Sequence, residues 1–178
     1  MTNNHAKSRG LTLLELMITL AVAGILIASS APSFTASIRN TRLVTQVNEL
    51  QASLSMARSE AVKRNENVTV CRSSDSASCT GAWQDGWIVF LDIDGDGSVD
   101  GGDGDEVLRV HDSLSGDNSL TFSLANIVYG ANGIASSGVN GVFTLCDVRG
   151  TAHVKGLVIG LSGRPRLAID SDNLACAS

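Results

Sequence analysis

The chain has 178 residues, enough for one domain and an appendage, and its net charge of −5 argues against a generally basic nucleic-acid binder. Hydrophobic residues make up 43% and are concentrated before residue 35, while aromatics are only 4% and there are 18 glycines, so the remainder reads as a modest, turn-rich domain with a small core. No nucleophile–base pattern, phosphate loop or haem motif occurs, and His5, His111 and His153 are scattered, so no enzymatic activity is expected.

Residues 9–17 read R-G-L-T-L-L-E-L-M, and after Glu15 no charge appears until Arg39. A carboxylate at the edge of such a run lies in or near lipid, which costs a few kcal/mol unless it finds a partner. A cleavable secretory signal would explain Lys7 and Arg9 before an apolar stretch. Against it, the run is long and carries Glu15, and the small residues Ser29, Ser30 and Ala31 are followed by Pro32, a poor residue after a scissile bond. A plain membrane anchor fits residues 16–38, which at about 1.5 Å per residue span roughly 35 Å, with Lys7 and Arg9 holding the N-terminus cytoplasmic. That reading leaves Glu15 unexplained. Cleavage between Gly10 and Leu11 explains it: the new α-amine on Leu11 lies one helical turn from Glu15, and the two charges neutralise each other within one chain or between neighbours.

The stretch Gly10, Leu11, Thr12, Leu13, Leu14, Glu15, Leu16, Met17 resembles the class III signal of type IV pilins and type II secretion pseudopilins, with Leu11 in place of the usual Phe. The resemblance implies that a prepilin peptidase removes residues 1–10 on the cytoplasmic face and methylates the Leu11 amine. It also implies that Glu15 registers subunits during assembly.

Pro32 stands where pilin N-terminal helices commonly bend, because a proline inside a helix removes one backbone bond. Beyond it, Leu43, Val47, Leu50, Leu54, Ala57 and Ala61 recur at steps of four and three, one apolar stripe, while Arg42, Glu49, Arg58, Glu60, Lys63 and Arg64 largely fall off it. The pattern predicts a helix over 11–66, with 11–38 its membrane and assembly part, ending near 65–67 and packing its second half on a globular domain. A free coiled coil is the alternative, weakened by the short and partly alanine stripe.

Residues 67–178 read as β-rich. Strands are expected at 68–72, at 86–92 (G-W-I-V-F-L-D), and at 107–111, 120–124, 141–146, 154–161 and 166–170, punctuated by glycine, serine and asparagine. With the helix they make an α+β domain, one long helix on antiparallel sheet. The four cysteines all follow the hydrophobic segment, on the side that would be exported. They allow three pairings, of which Cys71 with Cys79, a short local loop, and Cys146 with Cys176, tying the tail to a strand, are favoured. Zinc is the rival reading, but no C-x-x-C pair is present.

G-W-I-V-F-L-D with the acidic glycine turn after it, the strand ending Leu145-Cys146-Asp147, and G-R-P-R at 163–166 together resemble the GspH/FimT family of minor pilins and pseudopilins. The resemblance implies a pilin-like fold and a leader at residues 1–10. It implies a single-pass precursor in the bacterial inner membrane with a periplasmic globular domain, then a place in a filament. The implied partners are other major and minor pilins or pseudopilins, the prepilin peptidase and the inner-membrane assembly platform.

Residues 92–103 read D-I-D-G-D-G-S-V-D-G-G-D. Oxygen ligands at Asp92, Asp94, Asp96, Ser98 and Asp100, with Gly97 at the sharp turn and Asp103 in the twelfth place, follow EF-hand spacing and make calcium a candidate ligand. Strands rather than helices flank the loop, so a solvated hairpin turn is the competing reading. No cofactor is required.

The tail carries Gly163, Arg164, Pro165 and Arg166 in an acidic protein, with Lys155 and Arg149 as potential neighbours. Two guanidinium groups on one edge can grip adjacent phosphates. By resemblance to FimT-type members of competent bacteria, which bind DNA through a GRxR element, Gly163, Arg164 and Arg166 are the implied DNA contacts. The competing reading has the arginines solvating a strand or pairing with Asp170. No aromatic residue interleaves them for base stacking.

The expected function is a minor structural subunit of a type IV pilus, processed after Gly10 and assembled through its helix. An H-type pseudopilin of type II secretion and a DNA-binding minor pilin for transformation are the alternatives.

Overall fold

The computed structural model describes residues 12–102, 104–135, 140–160, 162–169, 172 and 174–176. One helix, α1 (Leu13–Arg64), is followed by β1 (Val68–Arg72), β2 (Trp87–Leu91), β3 (Glu106–His111), β4 (Ser119–Thr121), β5 (Asn126–Tyr129), β6 (Gly141–Cys146), β7 (Lys155–Ile159) and β8 (Pro165–Leu167). The chain divides into two compact units, Met1–Ile38 and Arg39–Ser178.

The described part of the first unit, residues 12–38, is the beginning of α1 with its cap. Its apolar side chains are exposed, Leu13 at 79% and Ile27 at 71%, so the unit by itself offers them no core. The helical backbone is continuous through Pro32.

In the second unit the six residues of the stripe, Leu43, Val47, Leu50, Leu54, Ala57 and Ala61, are all buried. The helix ends where the polypeptide turns left-handed at Asn65 (φ 60°), and the Glu66 amide reaches back to the Ala61 carbonyl at 3.3 Å. That is a Schellman ending, and asparagine tolerates the conformation better than most side chains.

The strands form two antiparallel four-stranded sheets, in the orders β3-β2-β1-β5 and β4-β6-β7-β8. The buried stripe of α1 shares one core with Val68, Val70, Trp87 and Val89 from the first sheet and with Phe143, Leu145, Leu157 and Ile159 from the second. Pleating sends alternate residues to the other face. There Cys71, Ile88 and Phe90 form a smaller cluster, covered by Cys79 and Val99. The short disulfide loop and the acidic loop thus roof the far side of the first sheet.

Polar contacts fix the helix on that sheet. The Trp87 indole N–H donates to Ser53 Oγ at 3.0 Å, and the Trp87 ring stacks on His111 at 3.7 Å. His111 Nε2 lies 3.0 Å from a Glu49 carboxylate oxygen on the helix. Two disulfides, Cys71–Cys79 and Cys146–Cys176, have Cα separations of 5.5 and 5.9 Å.

The α+β architecture, one long helix on antiparallel sheet, is the expected one, with local differences, among them that the strands expected over 154–161 and 166–170 end at Ile159 and Leu167. The strands divide between two sheets. β5 lies in a stretch where no strand is expected. The strand expected over 120–124 ends at Thr121. β5 is short, and its Asn-Ile-Val-Tyr run has no period-2 alternation because Ile127, Val128 and Tyr129 are all buried.

Candidate functional site

Three places carry the chemistry anticipated from sequence: the start of the helix, the acidic loop and the edge at β8.

Gly10 and Leu11 lie outside the described residues. Glu15 stands in the first turn of α1. Its amide donates to Thr12 Oγ1 at 3.2 Å, and the Leu16 amide closes on the Thr12 carbonyl at 3.1 Å. Thr12 is therefore the N-cap and Glu15 the third helical residue, the sequence of a capping box. A carboxylate there also faces the positive end of the helix dipole. The T-x-x-E spacing was available in the sequence, and Thr12 adds a second reason for Glu15 beside charge pairing.

In the acidic loop, Asp92 is fully buried, whereas Asp94 and Asp96 are exposed. One carboxylate oxygen from each of the three lies within 4.8 Å of the others. Asp92 Oδ1 accepts the Gly95 amide at 2.9 Å, and Oδ2 accepts the Gly97 amide at 3.2 Å and the Thr69 hydroxyl at 2.5 Å. Burial pushes the Asp92 carboxyl above its ordinary value, aided by nearby Asp105, while the Thr69 hydroxyl and the two amides pull it down. Asp94 and Asp96 accept the amides of Asp96 and Ser98, at 3.2 and 2.7 Å. Asp105 accepts the amides of Ile93 and Asp100, at 3.0 and 3.2 Å. Asp103 lies outside the described residues. Thr69 and Asp105 were not anticipated. Neither falls in the ligand spacing, and Thr69 comes from a strand 23 residues away.

At the third place, β8 is an edge strand with Pro165 inward and Arg164 and Arg166 exposed. A proline is tolerated there because an edge residue has no second neighbour to donate to. The Gly163 carbonyl accepts the Tyr129 hydroxyl at 3.0 Å. Gly163 itself has φ +72°, and a Cβ on it would lie 2.9 Å from the Ala135 amide nitrogen. Glycine is thus required just before Arg164.

The two arginines differ. Arg166 is bound by Asp172, Nη1 to Oδ2 at 2.8 Å and Nη2 to Oδ1 at 2.9 Å. That guanidinium, with the Ile169 amide, holds the Asp172 carboxyl down to about 2. Asp170, the partner considered from sequence, lies outside the described residues. Lys155 is exposed at the start of β7. Arg149 does not join the group: it binds Asp147 at 2.6 Å and Asn40 Oδ1 at 2.9 Å. Nothing in the sequence marks Asp172 as the partner of Arg166, since a six-residue separation outside a helix predicts no contact.

The model of the family described as type II transport protein GspH matches residues 46–163, and that of the prokaryotic N-terminal methylation motif matches residues 5–31. No curated protein sequence matches significantly. Among solved structures, the chain is similar to the type IV minor pilin FimU of Pseudomonas aeruginosa PAO1 in two crystal forms. In one, the TM-score is 0.60 and the identity 23%, covering 75% of this chain and 92% of that one. In the other the values are 0.57, 24%, 72% and 94%. The minor pseudopilin EpsH from the type 2 secretion system of Vibrio cholerae is similar at a TM-score of 0.50 and 11% identity, covering 71% and 96%.

Proposed function

The chain belongs to the GspH family and is a structural subunit of the minor pilin and pseudopilin type; from that premise we propose that it serves a type IV pilus, as a minor subunit inserted in the filament by its N-terminal helix. Prepilin peptidase cleaves after Gly10 in the inner membrane, the Leu11 amine is methylated, and the assembly platform lifts the subunit out of the bilayer. The observation that carries this reading is the first unit of α1, an exposed apolar helix whose one acidic residue sits in its first turn. A helix that is apolar all round needs lipid or other such helices around it. Glu15 then pairs with the Leu11 amine of a neighbouring subunit, and an unmatched charge excludes a subunit from the bundle.

The test separates processing from assembly. Glu15→Ala is expected to be cleaved after Gly10 much as the wild type is, yet to be missing from sheared filaments. Normal incorporation would return the segment to a plain anchor. Deletion of the gene should reduce surface pili and leave exoprotein secretion intact; the opposite pattern would assign it to a type II secretion pseudopilus.

Two secondary readings have specific support. DNA contact is favoured by exposed Arg164 and Lys155, and it should be weak, independent of sequence and lost with added salt. An Arg164→Ala/Arg166→Ala double variant that still retards DNA normally would refute it. Calcium binding is favoured by the convergence of Asp92, Asp94 and Asp96, with Ser98, Asp100 and Asp103 completing the set by spacing.

A further inference from the structure

We infer that the Cys71–Cys79 disulfide is a redox-sensitive lock on the acidic loop: closing the bond seats the loop on the first sheet, and opening it frees the loop. The two loops cover one small cluster. Cys71, Ile88 and Phe90 are fully buried on the far face of that sheet, and the partly buried side chains packed on them are Cys79 and Val99. One cover comes from each loop.

Two strands carry the seat. Thr69 and Cys71 lie two residues apart on β1 and so face the same side. Thr69 donates to Asp92 at the base of the acidic loop. Asn126 stands opposite Cys71 in the pairing of β1 with β5, and its amide donates to the Gly97 carbonyl at 3.1 Å. Gly97 is buried with φ +81°, and a side chain on it would run into the Asn126 amide. Val99 follows two residues later. The acidic loop is thus held at Thr69, at Asn126 and on the cluster that Cys79 also covers.

Within the disulfide loop, Asp75 accepts the amides of Ala77 and Ser78, at 3.0 and 2.8 Å. That loop therefore keeps a local turn of its own, and the bond decides whether the turn stays on the sheet. Losing one cover lets water onto a patch of three apolar side chains and weakens the footing of the other. Such coupling is reciprocal: the bond steadies the acidic loop, and the seated loop shields the bond. The covalent step is dithiol–disulfide exchange. A dithiol reductant attacks at Cys79, the less buried partner, and releases Cys71 as a thiol. It then closes on itself and releases Cys79, so that two electrons and two protons pass to the protein and the reductant leaves as its own disulfide.

The test follows both disulfides of the full chain in detergent, with chelator present throughout so that cation binding plays no part. Reduction by dithiothreitol is trapped by alkylation and assigned by mass spectrometry. Val99→Ser is expected to speed the opening of Cys71–Cys79 about fivefold and to leave Cys146–Cys176 at its wild-type rate. In the reciprocal direction, Cys71→Ala/Cys79→Ala is expected to speed amide exchange at Gly95, Gly97 and Ser98 about fivefold, with β6 and β7 unchanged. A wild-type rate in either measurement would overturn the inference, because the coupling must act both ways. Parallel gains at Cys146–Cys176, or in β6 and β7, would overturn it too, since they would mean that the whole unit had loosened.

Discussion

Asp172 holds Arg166 with both carboxylate oxygens, at 2.8 and 2.9 Å. The same carboxylate also accepts the Ile169 amide at 2.8 Å. The basic element at 163–166 therefore presents Arg164 outward, while Arg166 is partly neutralised by its own tail.

Asp172→Asn should free Arg166. On the DNA reading, the variant retards DNA a few-fold more strongly at low salt, and its salt dependence steepens by about one phosphate contact. Stability should change by less than about 1 kcal/mol, because the Arg166 end of the pair is half exposed and an asparagine can still accept the Ile169 amide. Gel retardation and a melting curve check both, and unchanged retardation would remove Arg166 from any phosphate-binding surface.

Gly163→Ala should cost about 1–3 kcal/mol, since the left-handed backbone penalises a side chain and the new methyl meets the Ala135 amide. Urea unfolding measures the loss. The variant also tests how firmly Arg164 is placed, because Gly163 is the residue that Tyr129 anchors.

Asp147 contributes to the acid limb of stability. The Arg149 guanidinium holds its carboxyl below the usual value. A depressed folded-state value contributes stability that is present above the ordinary aspartate value, near 4, and is lost as pH falls through the depressed one. Asp147→Asn should therefore cost about 2 kcal/mol at pH 7, where it strands a mostly buried guanidinium. The gap to wild type should close below about pH 4. A constant gap across that range would show that the charge on Asp147 is not what stabilises the turn.

Thr12→Ala removes the cap of α1 and should cost its first turn about 1 kcal/mol, read as faster amide exchange at residues 13–16. Filament incorporation should fall much less than with Glu15→Ala, because the charge on Glu15 remains. Equal losses in the two variants would mean that Glu15 acts chiefly through the capped turn.

Calcium should raise the melting temperature by several degrees relative to chelator, and Asp94→Asn/Asp96→Asn should erase the difference. Asp92 is left out of that variant because its hydrogen bonds with Thr69, Gly95 and Gly97 also order the loop. Identical melting curves with calcium and with chelator would leave the loop a hydrogen-bonded hairpin turn.

Much of this molecule was legible because the signals were local. Six apolar residues at helical spacing read as a buried stripe, and all six are buried. G-W-I-V-F-L-D read as a strand because aromatic and β-branched residues favour a pleated surface. β5 was not legible, since burial on both faces erases alternation and its position is set by pairing with β1, more than 50 residues earlier. In the acidic loop, spacing offered Asp92, Asp94 and Asp96 alike as candidate ligands and could not show that Asp92 turns inward to Thr69.

By itself, then, the sequence determined that the chain has an apolar helix with Glu15 in its first turn, an amphipathic continuation and a β-rich domain with paired cysteines. Those properties depend on residue type at short spacing. Tertiary structure alone decided that the strands split into two sheets around one helix, that Arg149 turns to Asn40, and that Arg166 is held by Asp172. Each of those depends on which distant backbones meet in space, and a carboxylate and a guanidinium carry no mark of their partner until folding brings them within hydrogen-bonding distance.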